Sequence, residues 1–478
     1  MTIETSAGLR ARHIQLRGRR AFEKTLEFEG VFQLVQRDIT DQSTWGLTTR
    51  QIHSGMDIDS EYGATQLPIY QTTSFNFPDT AVAAGRFALS ELGPIYTRLT
   101  NPTNDAVENK IAALEGGVGA VMLSSGQSAT TLSVLNVAGA GDSVVVSASL
   151  YGGTQNLFKH TLPRLGIETI FVEDPHDLDQ WRSAIKSNTK AVFAEVLGNP
   201  KADVLDLPAV SDVAHEAGIP VIIDSTLTPP TVFRPFEHGA DIVVHSTTKY
   251  LSGHANVLGG VIVDSGNFDW TADPEKFPWF NEPDESYHGV TFGTDFGPNG
   301  PLGANLSYIL RIRTQLLRDM GNSASPFNSY LVNLGLETLS LRMERHLENA
   351  QRVAEWLEAH PQVENVQFAG LKSSPWYDRA QQLLPNGTSG IVAFNIVGGI
   401  EAGRKFAESL TLHKLVANLG DVRSLVVHPA TTTHAQLSEA EQLAAGVNPS
   451  LVRLSVGLED ITDILDDLQS GFDAVATV

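Results

Sequence analysis

The stretch VVHSTTKYLSGHANVLGG, Val243–Gly260, runs from an apolar strand through hydroxyl side chains to a lysine and a glycine-spaced loop. A strand this uniformly apolar is buried on both faces, which requires helices on both sides of a mostly parallel sheet. Ligands of such sheets collect beyond the carboxyl ends of the strands, and Lys249 comes just after that end. An ammonium there is costly to desolvate, yet a desolvated lysine with a lowered pKa is what Schiff-base chemistry needs. Taken alone, Lys249 also reads as a lysine snorkelling out of the strand end or paired with one carboxylate.

Outward from this stretch the pattern repeats. Short apolar runs at 120–123, 143–147, 168–172, 191–196, 220–224, 241–246 and 259–263 alternate with helical stretches at 130–138, 154–165, 178–185 and 207–218. Ahead of them NDAVENKIAALEGG reads as a helix capped by Asn104 and stopped by its two glycines. The expected fold is α/β: a mostly parallel central sheet flanked by helices, followed by a smaller C-terminal α/β domain. The expected divisions are an N-terminal extension over 1–45, an arm over 46–95 that packs on a neighbouring subunit, a large domain over 96–325 and a small one over 326–478. Residues 266–301, dense in Pro, Asp and aromatics, read as an ordered loop close to a cleft or interface.

Composition narrows the chemistry. The 478 residues are 42% hydrophobic and 18% charged, ordinary for a packed protein, and carry 55 acidic against 33 basic side chains. A net charge of -22 repels nucleic acid and anionic lipid, and the clustered arginines Arg10 to Arg20 are the one local exception. With no cysteine, disulfides, thiolate nucleophiles and cysteine-bound metals are excluded together. No run reaches 18 apolar residues and the start has no apolar signal region, so a cytoplasmic, non-membrane protein is expected. His245, His254, His428 and His434 lack metal-site spacing, and no metal is expected.

Other polar groups share the sheet edge with Lys249. Asp224 ends the strand PVIID, and a carboxylate beside a strand-end lysine suggests a pyridinium nitrogen held by the first and an aldehyde held by the second. Asp224 could equally cap the segment that follows it. In AVMLSSGQSATT, Gly126 and Gln127 open a helix where main-chain N–H groups would stabilise a phosphate, with Ser246 and Thr248 as further donors. Serine and glycine are also common turn and cap residues. Tyr151, ahead of a glycine pair, offers a face for a planar ring, and Asn199 could donate to a ring hydroxyl, although a core tyrosine and an Asn-Pro turn explain them as cheaply. Arg453 lies inside the apolar strand LVRLSVGL, where an unpaired guanidinium is expensive, so it should meet a carboxylate of the protein or of a ligand. Arg98 follows Tyr96 in YTRLTNPT; if that stretch is extended, both side chains point the same way.

HSTTKYLSGH with IIDSTLTPP upstream, together with YTRLTNPT, SSGQSAT, YGGT, VRSLVVHPATTTH and VRLSVGLED, resembles the cysteine/methionine-metabolism enzymes that use pyridoxal 5'-phosphate, the gamma family of fold type I. The likeness covers about residues 46–478. It implies Lys249 as the Schiff-base lysine, Asp224 as partner of the ring nitrogen and Tyr151 as the stacking ring and a proton shuttle. It further implies Gly126, Gln127, Ser246 and Thr248 as phosphate ligands, Asn199 at the ring oxygen, and Ser424 and Arg453 as ligands of the substrate α-carboxylate. Tyr96 and Arg98 would reach into a neighbouring subunit's site, in a homotetramer built as a dimer of dimers. Within the family, TTRQIHSGMDIDSEYGATQLPIYQTTSFNF, the aromatic insertion and DVRSLVVHPATTTH are similar to the branch that replaces the acetate of O-acetyl-L-homoserine by sulfide. The cystathionine γ-synthase, O-succinylhomoserine sulfhydrylase and methionine γ-lyase branches stay open as alternatives.

Overall fold

In the computed structural model, which describes residues 41–56, 62–198, 201–433, 435, 442 and 446–476, seven apolar runs pair into one sheet. They are β1 (Gly119–Leu123), β2 (Ser143–Ser147), β3 (Glu168–Val172), β4 (Thr189–Glu195), β5 (Val221–Asp224), β6 (Ile242–His245) and β7 (Gly260–Asp264), in the order β1-β7-β6-β5-β4-β2-β3. The neighbours from β6 through β3 are parallel, and β7 runs antiparallel between β1 and β6. Alternate side chains of each strand feed two separate cores. Val145, Ile223, Val243 and Val263 enter one, Val144, Val146, Ile222 and Val244 the other.

Preceding the sheet are α1 (Leu47–His53) and α2 (Thr80–Phe87), and its flanking helices include α3 (Pro102–Glu115), α4 (Gly126–Leu135), α5 (Gly152–Asn156), α6 (Leu178–Ala184) and α7 (Leu207–Glu216). The cap of α3 differs from expectation. Asn101 accepts from the Thr103 N–H at 3.0 Å, because Pro102 already takes the first helical position, whose N–H needs no partner. Asn104 is buried inside the helix and donates to the Ala324 carbonyl at 3.2 Å. Gly116, at φ 83°, ends α3 as the two glycines predict.

The aromatic segment is ordered, but it plugs a core and does not line the main cavity. Trp270 stacks on Phe280 at 4.4 Å and on Tyr308 at 5.2 Å, within the same cluster as the α4 face of the sheet.

The helical tract after residue 326 is two helices, α8 (Pro326–Leu336) and α9 (Leu339–Glu358). Then come β8 (Val363–Gln367), α10 (Tyr377–Leu383), β9 (Ile391–Ile396), α11 (Gly399–Ser409), β10 (Lys414–Leu415), β11 (Leu425–Val427), β12 (Leu451–Ser455) and α12 (Ile461–Ala476). The second sheet has the order β10-β11-β12-β9-β8. Its short members β10 and β11 have too few residues to show a period in the sequence. Both sheets lie within one compact unit, Trp45–Val478. Residues 1–40 of the expected extension lie outside the described residues.

Candidate active site

Three neighbouring parallel strands end in polar groups: β4 in Glu195, β5 in Asp224 and β6 in His245, followed by the turn that carries Lys249. Beyond these ends lies a cavity of about 720 Å³. Gly126, Gln127, Tyr151, Asp224, Ser246, Thr248, Lys249 and Arg453 all line it, so elements scattered from residue 126 to 453 converge on one site.

The Lys249 amine donates to Asn418 Oδ1 at 2.6 Å. Burial first, and then the Arg453 guanidinium, lower its pKa to about 8, so a neutral amine is accessible near physiological pH. Behind it, the Arg342 guanidinium of α9 donates to the carbonyls of Tyr250 at 2.8 Å, Leu251 at 3.3 Å and Gly335 at 2.8 Å, fixing the turn that bears the lysine. Burial pushes the Asp224 carboxyl up, opposed by the Thr226 hydroxyl and by its N–H at 2.9 Å, and by His245. His245 is fully buried, with Nε2 at 2.6 Å from Glu115 Oε1.

At the start of α4, Ser125 caps the helix by accepting from the Ser128 N–H at 3.1 Å. The N–H groups of Gly126 and Gln127 have no acceptor within the helix, as for any first turn, and they border the cavity. A methyl group at Gly126 would sit 2.6 Å from Ser246 Cβ, so the helix start and the lysine turn touch across this glycine. Thr248 braces the turn from the other side, its hydroxyl accepting from the Gly259 N–H at 3.1 Å.

Tyr151 follows β2 with its ring half exposed to the cavity and its main-chain N–H donating to Glu195 Oε1 at 2.7 Å. Arg453 projects from β12 and donates to the Asn418 carbonyl at 3.2 Å. Among the described residues no carboxylate lies within ion-pair distance of it, so its expected anionic partner is not another side chain of the described chain.

Three of the remaining expected residues lie elsewhere. Ser424 does not reach the cavity: it is fully buried, donates to Glu459 Oε2 at 2.9 Å and accepts from the Gly457 N–H at 2.9 Å. Its one hydroxyl proton is committed to Glu459 and its oxygen braces the Gly457 main chain. Tyr96 and Arg98 do not line this cavity either. Their stretch is a turn, with the Leu99 N–H donating to the Tyr96 carbonyl at 2.8 Å, and the Arg98 guanidinium lies over the Tyr96 ring at 5.4 Å. Asn199 lies outside the described residues.

A lysine of lowered pKa, a strand-end carboxylate, an anion cradle and an open aromatic face in one cavity make a site for a phosphorylated aldehyde. The model of the Cys/Met metabolism PLP-dependent enzymes matches residues 48–473. The chain belongs to this family.

Members of the Cys/Met metabolism family are similar to it along almost its full length. A protein of Corynebacterium glutamicum named O-acetyl-L-homoserine sulfhydrylase is 51% identical over 441 residues, which cover 92% of this chain and 99% of that protein. A homocysteine synthase of Schizosaccharomyces pombe is 47% identical over 422 residues, 88% of this chain and 96% of that one. Among solved structures, a putative O-acetylhomoserine (thiol)-lyase of Campylobacter jejuni, containing N'-pyridoxyl-lysine-5'-monophosphate, superposes with a TM-score of 0.85 at 37% identity, over 90% of this chain and 100% of that chain.

The residues present fit the cofactor of a Cys/Met metabolism PLP-dependent enzyme. The cradle at Gly126 is kept open by the absence of a side chain, and the half-buried amine and carboxylate stand on adjoining elements. Two further cavity residues escape a reading of the sequence. Glu195 carries a visible signal, since AVFAEV ends an apolar strand in a carboxylate just as PVIID does. Asn418, in VANLGD, carries none: it sits in the connection after β10, and its contact with Lys249 exists through the packing of the second sheet on the first.

Proposed function

We propose that the chain is an O-acetyl-L-homoserine sulfhydrylase, replacing acetate by sulfide to give L-homocysteine, with pyridoxal phosphate attached at Lys249. The observation that carries the chemistry is the meeting of Lys249, Asp224 and Arg453 in one cavity, with the amine held at about 8. Likeness to proteins of that name over nearly the whole chain supports the choice of substrate.

When bound, the cofactor supplies an electron sink in conjugation with the substrate Cα, so that acetate can leave Cγ and sulfide can take its place. Gly126, Gln127, Ser246 and Thr248 would hold the phosphate, Asp224 the ring nitrogen, Tyr151 the ring by stacking and Asn199 the ring oxygen. Arg453 binds the α-carboxylate, and Asn418 orients the lysine through its side-chain oxygen and the guanidinium through its main-chain carbonyl. Lys249, as a neutral amine, takes the proton from Cα and returns protons along the chain of carbons. The Tyr151 phenol moves a proton between the substrate amine and Lys249.

The same reading makes the protein cytoplasmic and a homotetramer, a dimer of dimers in which Tyr96 and Arg98 complete a neighbouring copy's phosphate site. Exposed Ile69, Phe87 and Leu92 on residues 46–95 support a covered arm. It also keeps 96–325 as the cofactor domain and 326–478 as the smaller one. Among the described residues no helix is long and apolar enough to cross a membrane.

Product analysis decides the reaction. Homocysteine and acetate from O-acetyl-L-homoserine plus sulfide are expected. A preference for the succinyl ester, or release of 2-oxobutyrate without added thiol, would overturn it.

A further inference from the structure

Glu195 and Asp224 are register partners at the last positions of β4 and β5. Two residues earlier on each strand, Phe193 and Ile222 enter the same core cluster, so the two carboxyls leave the sheet on that same face. Neighbouring strands lie about 4.8 Å apart, and both carboxyls line the cavity. One Glu195 oxygen accepts from the Tyr151 N–H at 2.7 Å; one Asp224 oxygen accepts from the Thr226 N–H at 2.9 Å.

We infer that Glu195 is a positioning residue that fastens Tyr151 through its main chain and shares one proton with Asp224, so that the ring seat holds a single negative charge on a carboxyl pair. The inference rests on the reading of Asp224 and Tyr151 as cofactor contacts and adds the group that joins them. Two carboxylates this close, Glu195 buried and Asp224 half-buried, cannot both ionise without strong repulsion. The proton belongs on Glu195. Asp224 has the Thr226 hydroxyl and N–H and the His245 ring to favour its charge. Glu195 faces Asp224 and also Asp203 in the bend after β4, with the Tyr151 N–H as its donor, and burial above all pushes its carboxyl well above the ordinary range. The cationic groups lining the cavity are Lys249, joined to Asn418 Oδ1, and Arg453, joined to the Asn418 carbonyl.

A neutral acid is mimicked by an amide. Glu195→Gln keeps the acceptor for Tyr151 and the neutral charge, so its pyridoxal phosphate Kd stays within about twofold of the native protein, while Glu195→Ala weakens it about tenfold through the lost hydrogen bond. Infrared difference spectra of the cofactor-free proteins, native minus Glu195→Gln, should show a protonated carboxyl stretch at neutral pH. Half-buried Asp105 and buried Asp264, also raised to about 7, contribute to both proteins and cancel. Absence of that band, or a Gln variant that binds the cofactor as weakly as the Ala variant, would overturn the inference. If Glu195→Ala does not fold, the infrared comparison decides alone. Failure of the native protein to bind pyridoxal phosphate would strike the proposed function, while the infrared band, read without cofactor, would still report on the carboxyl pair.

Discussion

The Lys249 amine and the Asn418 side chain meet at 2.6 Å although 169 positions separate them in sequence. One belongs to the turn after β6 of the first sheet, the other to the connection between β10 and β11 of the second. The same asparagine receives Arg453 on its carbonyl, so a single residue sets the distance between the lysine and the guanidinium.

Cofactor capture should follow the depressed amine. The attacking form is the neutral amine, and a pKa lowered to about 8 makes it the major form above that pH. The rate at which cofactor-free protein recombines with pyridoxal phosphate is expected to rise with pH and level off above about 8. A midpoint near 10, the ordinary lysine value, would contradict the burial that sets it. Lys249→Ala should lower replacement turnover by about 10²–10⁴-fold.

Arg453→Met removes the seat for the substrate carboxylate. The KM for O-acetyl-L-homoserine should rise about 10–100-fold, the worth of one charge-assisted hydrogen bond, with little change in the KM for sulfide. Thermal stability should not fall, because a half-buried cation without a carboxylate partner among the described residues is replaced by an apolar chain.

Gly126→Ala puts a methyl group 2.6 Å from Ser246 Cβ. Overpacking of this kind costs about 1–3 kcal/mol, and it falls on the phosphate cradle. Equilibrium titration with pyridoxal phosphate should show a Kd raised by roughly 5- to 100-fold in a protein whose circular dichroism is unchanged.

Arg342→Ala leaves the carbonyls of Tyr250, Leu251 and Gly335 without their buried donor. A loss of about 2–4 kcal/mol in urea unfolding is expected, together with a lower kcat, since the turn bearing Lys249 loses its brace. Arg342→Lys should recover part of this, because one ammonium cannot reproduce the guanidinium fork.

Asp467 anchors α12 by accepting from the N–H groups of Thr411 at 2.8 Å, Leu412 at 3.0 Å and His413 at 3.0 Å, and it meets His413 Nδ1 at 2.8 Å. Burial raises its pKa, but these donors outweigh burial and hold the carboxyl well below the usual range. Its stabilisation is therefore complete above the unfolded pKa of about 4 and is lost as pH falls through the lower folded value. Asp467→Asn should destabilise the protein at pH 7 and flatten the acid limb of its stability profile, both measurable by urea titration across pH.

The apolar strands, the glycine that ends α3, and the polar residues at strand ends are local facts, and the sequence by itself determined them. Period-two burial on both faces follows from composition, and a carboxylate or lysine closing an apolar run marks the cavity edge, as at Asp224 and Lys249. Tertiary structure decided which distant groups reach that edge. Ser424 lies in a stretch as suggestive as any other, yet its hydroxyl is turned to Glu459 and Gly457, while Asn418, six positions earlier and without a signal, touches the lysine. The reason is that β10 and β11 are too short to carry a period, so the direction of each side chain there is set by packing of the second sheet on the first and not by the local order of residues.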